Sequence, residues 1–265
     1  MIAILEVKIV IVKKKSYEKE EGSDIFKMRY LTGVYWCRGR EADRNQDSVI
    51  LQQVLTRRGR VLMAAVCDGM GGISQGETAS GYVAESLQEW FYMELLYMIR
   101  EKKRSWVIRR SLDRLTFHLQ RQLQRYAGRE EISLGTTMTV LVIWEKLYLV
   151  WHLGDSRAYR LRGGRLEQIT TDHVHGMGKL TKCLGSFGYF VPEHTMGILR
   201  AGEAVLLCSD GYWRRVTDTE ITGVMNPVGM IQEEQIERRL REIGEACMNR
   251  GERDNLSAVY VKAMR

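Results

Sequence analysis

The sequence predicts a single α+β domain, on three observations. Short apolar runs, ended by glycine and polar turns, recur from Tyr30 onward as strands do. Two longer stretches repeat apolar residues at spacings of three and four, as amphipathic helices do. The middle of the chain reads as a β-meander, with strand-like runs following each other across short turns. A length of 265 residues suits one domain, since cores of ~200 to 250 residues are common in such architectures. With 45% hydrophobic and 28% charged residues and only two prolines, the chain is neither disordered as a whole nor split by a proline-rich spacer.

Residues 1–28 stand apart as a flexible extension, because an apolar opening leads into a charged stretch at 13–24 with too little apolar surface to pack. Residues 29–265 form the domain. Its first strands begin at Asp47-Ser48-Val49-Ile50 and at residues 61–66, the second ending at Cys67-Asp68-Gly69. Val83, Leu87, Phe91 and Leu95 mark one long helix, and Ile108, Leu112, Leu115 and Leu119 another, each burying one face. Strands resume at 136–144, 147–153 and 157–162, with Arg162-Gly163-Gly164-Arg165 as a hairpin turn. A buried strand at 204–208 leads to Asp210-Gly211. Ile236, Leu240, Ile243 and Cys247 mark a further helix, and residues 256–261 close the chain as a strand.

Composition narrows the function. Forty Lys and Arg against 33 Asp and Glu leave a net charge of +7, which attracts anionic partners such as phosphoproteins or RNA. The basic clusters at 13–15, 100–104 and Arg109 with Arg110 are short and lack the aromatic interleaving that stacks bases, so they read as solvated faces and nucleic acid is not expected. Five scattered cysteines without a C-x-x-C pair indicate reduced thiols and a cytoplasmic setting. No apolar run approaches the ~18 to 20 residues of a membrane span. The lysines that follow the apolar opening reverse the order of a signal peptide.

The chemistry is carried by aspartates at strand ends: Asp68 before Gly69-Met70-Gly71-Gly72, Asp155 in Gly154-Asp155-Ser156-Arg157, Asp210 before Gly211, and Asp254 before Asn255. One Asp-Gly step alone is more often a turn. Four carboxylates brought together by neighbouring strands would repel unless cations neutralised them, and oxygen-only ligands select Mg²⁺ or Mn²⁺. Two such ions suit an in-line displacement at phosphorus. The glycines after Asp68 give backbone freedom that a plain turn does not need.

In this order the chain resembles the metal-dependent protein phosphatase family of the protein phosphatase 2C type, in its bacterial form. The resemblance is carried by Asn45-Gln46-Asp47-Ser48, Asp68-Gly69-Met70-Gly71-Gly72 with Gly76-Glu77, Gly135-Thr136-Thr137, Gly154-Asp155-Ser156-Arg157-Ala158-Tyr159, Thr171-Asp172-His173, Ser209-Asp210-Gly211 and Asp254-Asn255, across residues 30–263. It implies an αββα sandwich of two antiparallel sheets flanked by helices. It also implies hydrolysis of phosphoserine and phosphothreonine in proteins by a metal-bridging hydroxide at a binuclear Mn²⁺ or Mg²⁺ site, with the substrates of a serine/threonine kinase as partners and a monomeric enzyme. By motif, Asp68 bridges both ions, the Gly69 carbonyl, Asp210 and Asp254 complete one site, Gln46 and Asp47 line the other, and Asp155 with Asp210 offers a weaker third.

The chain departs from the family at several points. The phosphate-binding arginine expected five residues before Asp47 is Ala42, so Arg40 or Arg44 must substitute, with Arg40 favoured on the Gly39-Arg40-Glu41 context. Gln46 is neutral where many members carry glutamate. The segment between His173 and Leu184 is short for a flap, which implies an open site. Met70 replaces a histidine of eukaryotic relatives and cannot donate a proton, leaving His173 and His175 as candidates that are more often structural. Three rival readings stand beside this one: a thiolate phosphatase on the Cys208 and Arg214 spacing, an inactive phosphatase-fold scaffold or phosphoprotein-binding module, and a basic nucleic-acid binder.

Overall fold

A computed structural model describes residues 9–14, 28–40, 43–71, 75–176, 178–186, 188 and 190–265. Two β-sheets lie face to face between two layers of helices, the four-layer sandwich that the resemblance implies. The first sheet has the order β1 (Ile9–Lys14), β3 (Asp47–Thr56), β4 (Gly59–Gly71), β6 (Met138–Trp144), β7 (Leu147–Leu153) and β12 (Glu193–Ile198), with the short β5 (Leu134–Thr136) paired to the end of β4. The second has the order β2 (Arg29–Cys37), β14 (Leu256–Met264), β13 (Ala204–Cys208), β8 (Arg157–Arg162) and β9 (Arg165–Gln168). A two-residue-per-strand hairpin, β10 (Val174–His175) and β11 (Lys179–Leu180), stands apart.

The layering explains why several strands read as unbroken apolar runs. A strand turns alternate side chains to opposite faces, and here both faces are covered. In β4, Val61, Met63, Ala65 and Cys67 face the helices α1 (Gln75–Trp90), α2 (Leu96–Arg100) and α3 (Ser105–Glu130), whereas Leu62, Ala64 and Val66 face the other sheet. In β13, Val205 and Leu207 face inward. Ala204, Leu206 and Cys208 meet α4 (Asp210–Trp213), α5 (Asp218–Val224) and α6 (Glu233–Asn249). Ile236, Leu240, Ile243 and Cys247 line the buried stripe of α6, as their spacing predicts.

Four elements differ from the sequence expectation. β4 does not stop at Cys67-Asp68-Gly69 but runs on to Gly71, because residues 69–71 gain β5 as a partner. The first long helix contains a π segment, Phe91–Leu95, between α1 and α2. β12 carries mixed polar and apolar residues and is legible only through its pairing with β7. Of the extension, Ile9–Lys14 pairs in parallel with Val49–Val54. Among the described residues no helix is long and apolar enough to cross a membrane.

Leu62 is fully buried between the sheets. Leu62→Ala is expected to lower stability by about 2 to 5 kcal/mol. Urea unfolding should show this as a lower midpoint at unchanged slope.

Candidate metal centre

One edge of the sandwich collects the aspartates. β3 and β4 are antiparallel, and their register sets Asp47 directly across from Asp68. The C-terminal end of β13 lies beside the starts of β8 and β14, with Cys208 opposite both Arg157 and Ala258. Asp210, two residues beyond Cys208, Asp254, two residues before β14, and Asp155, in the crossing from β7 to β8, therefore share that edge with the other two.

The local backbone is pinned by polar side chains around them. Thr137 holds Asp68 on both sides: its hydroxyl accepts from the Asp68 N–H (2.9 Å) and its own N–H donates to the Asp68 carbonyl (2.8 Å). Gly154 adopts φ +117°, and a Cβ there would sit 2.5 Å from the Thr137 methyl, so only glycine lets the β7–β8 crossing pass. The Asn255 side chain accepts from the Gln46 N–H (2.7 Å) and donates to the carbonyls of Arg38 (2.8 Å) and Arg44 (3.2 Å), tying the 38–46 loop to the start of β14. Asn45 accepts from the Asp47 N–H (3.0 Å). Gly69 and Gly76 pack backbone to backbone, and a Cβ on Gly76 would lie 2.5 Å from the Gln46 side-chain oxygen. Sequence reasoning placed Gly135-Thr136-Thr137 and Asn255 in the motif without seeing that they act as these clamps. Their signal in the sequence is the motif resemblance and, for Asn255 alone, a place next to Asp254.

The residues predicted from sequence come together unevenly. Asp47, Asp155 and Asp210 are buried, Asp68 is half-buried and Asp254 is exposed. Burial, then the neighbouring aspartates, hold the Asp68 carboxyl well above the usual carboxylate range. Arg40 and Arg44 are both exposed at the rim. Arg40 donates to the Asn249 side chain (2.7 Å), and Arg44 pairs with Glu77 in the first turn of α1 (3.4 Å). Ala42 and Gly72 lie outside the described residues.

The histidine candidates belong to the scaffold. His173 is buried, accepts from the Gly154 N–H (3.1 Å) and stacks on His152 at 5.0 Å between ring centroids. His175 is exposed in β10. Met70 touches the Cys183 sulfur (3.8 Å). Cys208 is fully buried on the helix-facing side of β13 and burial raises its thiol, which removes the thiolate reading. Arg214, which the sequence offers only as the partner of Cys208 in the thiolate reading, turns instead to the aspartates. Its guanidinium pairs with Asp210.

Does this constellation fit a cation? Among the described residues no three Asp, Glu, His or Cys side chains stand ready as a ligating group. The carboxylates repel one another, and Asp210 turns one oxygen to Arg214. Yet Asp47 Oδ2 and Asp210 Oδ1 are buried with no hydrogen-bond partner. An orphaned buried carboxylate oxygen is costly, and a hard divalent ion is the partner that carboxylate and carbonyl oxygens suit. The donor set fits Mn²⁺ or Mg²⁺.

Residues 38–258 match the model of the family described as Protein phosphatase 2C. The chain is 27% identical over 206 residues to Protein phosphatase PhpP of Streptococcus pneumoniae, covering 71% of this chain and 80% of that one. It is 28% identical over 245 residues to Serine/threonine protein phosphatase PstP of Mycobacterium tuberculosis, covering 84% of this chain and 43% of that longer protein. The crystal structure of the catalytic domain of the serine threonine protein phosphatase PstP, in complex with two manganese ions, superposes with a TM-score of 0.71 at 26% identity, over 90% of this chain and 99% of that one.

Protonation of the carboxylates has a consequence for stability. Burial first, then Asp254 and Asp210, push Asp47 up to about 7, tempered by Ser257 and Ser209. Burial, then Asp254 and Asp155, push Asp210 up to about 7 against the opposing charge of Arg214. The unfolded carboxylates titrate near ~4, so the native state holds extra protons above that pH and stability falls as pH rises through the folded values. Buried His152, pushed down to about 4, works the opposite way below its unfolded value of ~6.5. His152 and His173, both pushed down by burial, offset only part of this above pH 6.5, where unfolded histidines are at most half protonated, so the carboxylates dominate from pH 6.5 to 8. In EDTA the melting temperature should drop across that window, and Mn²⁺ should raise it more at pH 8 than at pH 6.5, because ligands must be deprotonated. Calorimetry at both pH values checks this, and a metal-free melting temperature that climbs across the window would contradict it.

Proposed function

The chain belongs to the protein phosphatase 2C family, and on that premise we propose that it removes phosphate from phosphoserine and phosphothreonine in proteins at a centre of two Mn²⁺ or Mg²⁺ ions. The observation that carries the proposal is the convergence of five aspartates on one edge, two of them with buried oxygens that lack a partner. When bound, the ions supply water activation and neutralise charge on the phosphoryl oxygens. Asp68 would help to hold both ions. The Gly69 carbonyl, Asp210 and Asp254 are assigned to one ion, and Asp47 with Gln46 to the other. Asp155 and Asp210 are not assigned a third ion, since Arg214 already pairs with Asp210.

The rest of the work falls to side chains around the centre. The net charge of +7 draws phosphorylated segments toward the chain. Of the two rim arginines, Arg44 is the better phosphate holder. Its carbonyl is fixed by Asn255 and its guanidinium is set by Glu77, next to Gly76, whose backbone touches Gly69. Arg40 is drawn instead toward Asn249 at the end of α6. Neither Met70 nor buried His173 is placed to protonate the leaving serine or threonine oxygen, which takes its proton from solvent.

Release of phosphate from a phosphothreonine peptide tests the proposal. Turnover should require Mn²⁺ or Mg²⁺, stop in EDTA and vanish in Asp68→Ala. Asp210→Asn should lose more than the roughly 10- to 100-fold that residues around a metal's own ligands cost. Turnover by Asp68→Ala at the parent's rate would sink the assignment. Arg44→Ala is expected to raise KM for the phosphopeptide several-fold at little change in kcat, and Arg40→Ala to raise it less. The reverse ranking would return the phosphate to Arg40.

A further inference from the structure

Arg214 sits where the carboxylates leave an outer gap. It caps α4, with its N–H donating to the Asp210 carbonyl (2.9 Å), and its guanidinium returns to Asp210 Oδ2. Asp155, Glu252 and Asp254 also act on its charge. The helix that presents it is fixed against Asp155, because the neighbouring Trp213 indole donates to the Asp155 carbonyl (3.1 Å). The Arg157 guanidinium in turn lies 3.2 Å above the Trp213 ring and is gripped by Asp172 (2.7 Å). The Arg214 side chain is 43% exposed and that of Asp210 only 11%, so the arginine reaches in from solvent.

The two oxygens of Asp210 are thereby divided. Oδ1 is buried without a partner and remains for the inner ions, whereas Oδ2 is already neutralised by a guanidinium. A third divalent ion held by Asp155 and Asp210 would compete with the guanidinium already paired to Asp210 and would meet its positive charge, which also acts on Asp155. We propose that Arg214 is a built-in cation that takes the place of a third metal ion at the Asp155–Asp210 edge and limits the centre to two. This rests on the two-ion reading above. Unlike a bound ion, the guanidinium cannot be lost by dilution or taken by a chelator, so the outer carboxylates stay neutralised at any metal concentration.

The test counts bound Mn²⁺ on the full chain by titration calorimetry and by the loss of the free-ion signal in electron paramagnetic resonance. The parent should bind two equivalents and no more. Arg214→Ala, and Arg214→Met, which keeps an apolar stem over the site if alanine unsettles the fold, should each gain one weaker equivalent. Asp155→Asn in the Arg214→Met background should remove it again. A third equivalent in the parent overturns the inference, and so does a count of two in both arginine variants. No binding in any of the proteins overturns the two-ion reading itself, and the inference with it.

Discussion

Repulsion among carboxylates that the fold forces together is the constraint from which the rest of the site follows. Backbone pairing puts Asp47 across from Asp68, and neither can move without breaking the register of two long, buried strands. A one-residue slip would turn every apolar side chain of β4 to the wrong layer. The cost of placing like charges side by side is therefore built into the sandwich, and it is relieved locally by protons, by Arg214 or by divalent ions. Each of these partners excludes another, which is why metal, pH and Arg214 are linked at this edge.

The scaffold around the site holds backbone more than side chains. Thr137, Asn255, Asn45 and the stacked His152–His173 pair all bond to main-chain atoms of the segments that carry the aspartates. Carboxylates facing a cation need a fixed origin and some freedom at the tip, since metals of this kind demand near-octahedral geometry. Clamping the backbone while leaving Asp47 Oδ2 and Asp210 Oδ1 unbonded meets both needs.

The layers and most strands were legible from sequence because burial on both faces writes a continuous apolar run, as in residues 61–66 and 204–208. Elements without that pattern were not. β12 places Thr195 and Met196 on an edge where only one neighbour constrains composition, and the π segment at Phe91–Leu95 keeps the same apolar spacing as the helix around it. At the site, Asp68, Asp155, Asp210 and Asp254 were legible because four acids at the ends of predicted strands exceed what plain turns need, and Asp47 only through the motif resemblance. The role of Arg214 was not, because its spacing from Cys208 suggested a thiolate loop, and only the burial of Cys208 and the turn of α4 toward Asp210 separate the two meanings.

The proposed cation placement is self-consistent. A neutral Gln46 reduces the negative charge at one proposed ion, and a fixed guanidinium at Asp210 reduces it at the outer edge. Both changes lower the demand for external cations. A centre with less negative charge repels an incoming phosphate less, so in the proposed reading the exposed Arg44, set by Glu77, suffices to hold the substrate although Ala42 stands where a dedicated arginine is expected. The short β10–β11 hairpin fits the same logic. In the proposed reading, discrimination among phosphoproteins would fall to the shape and charge of the rim rather than to a closing flap.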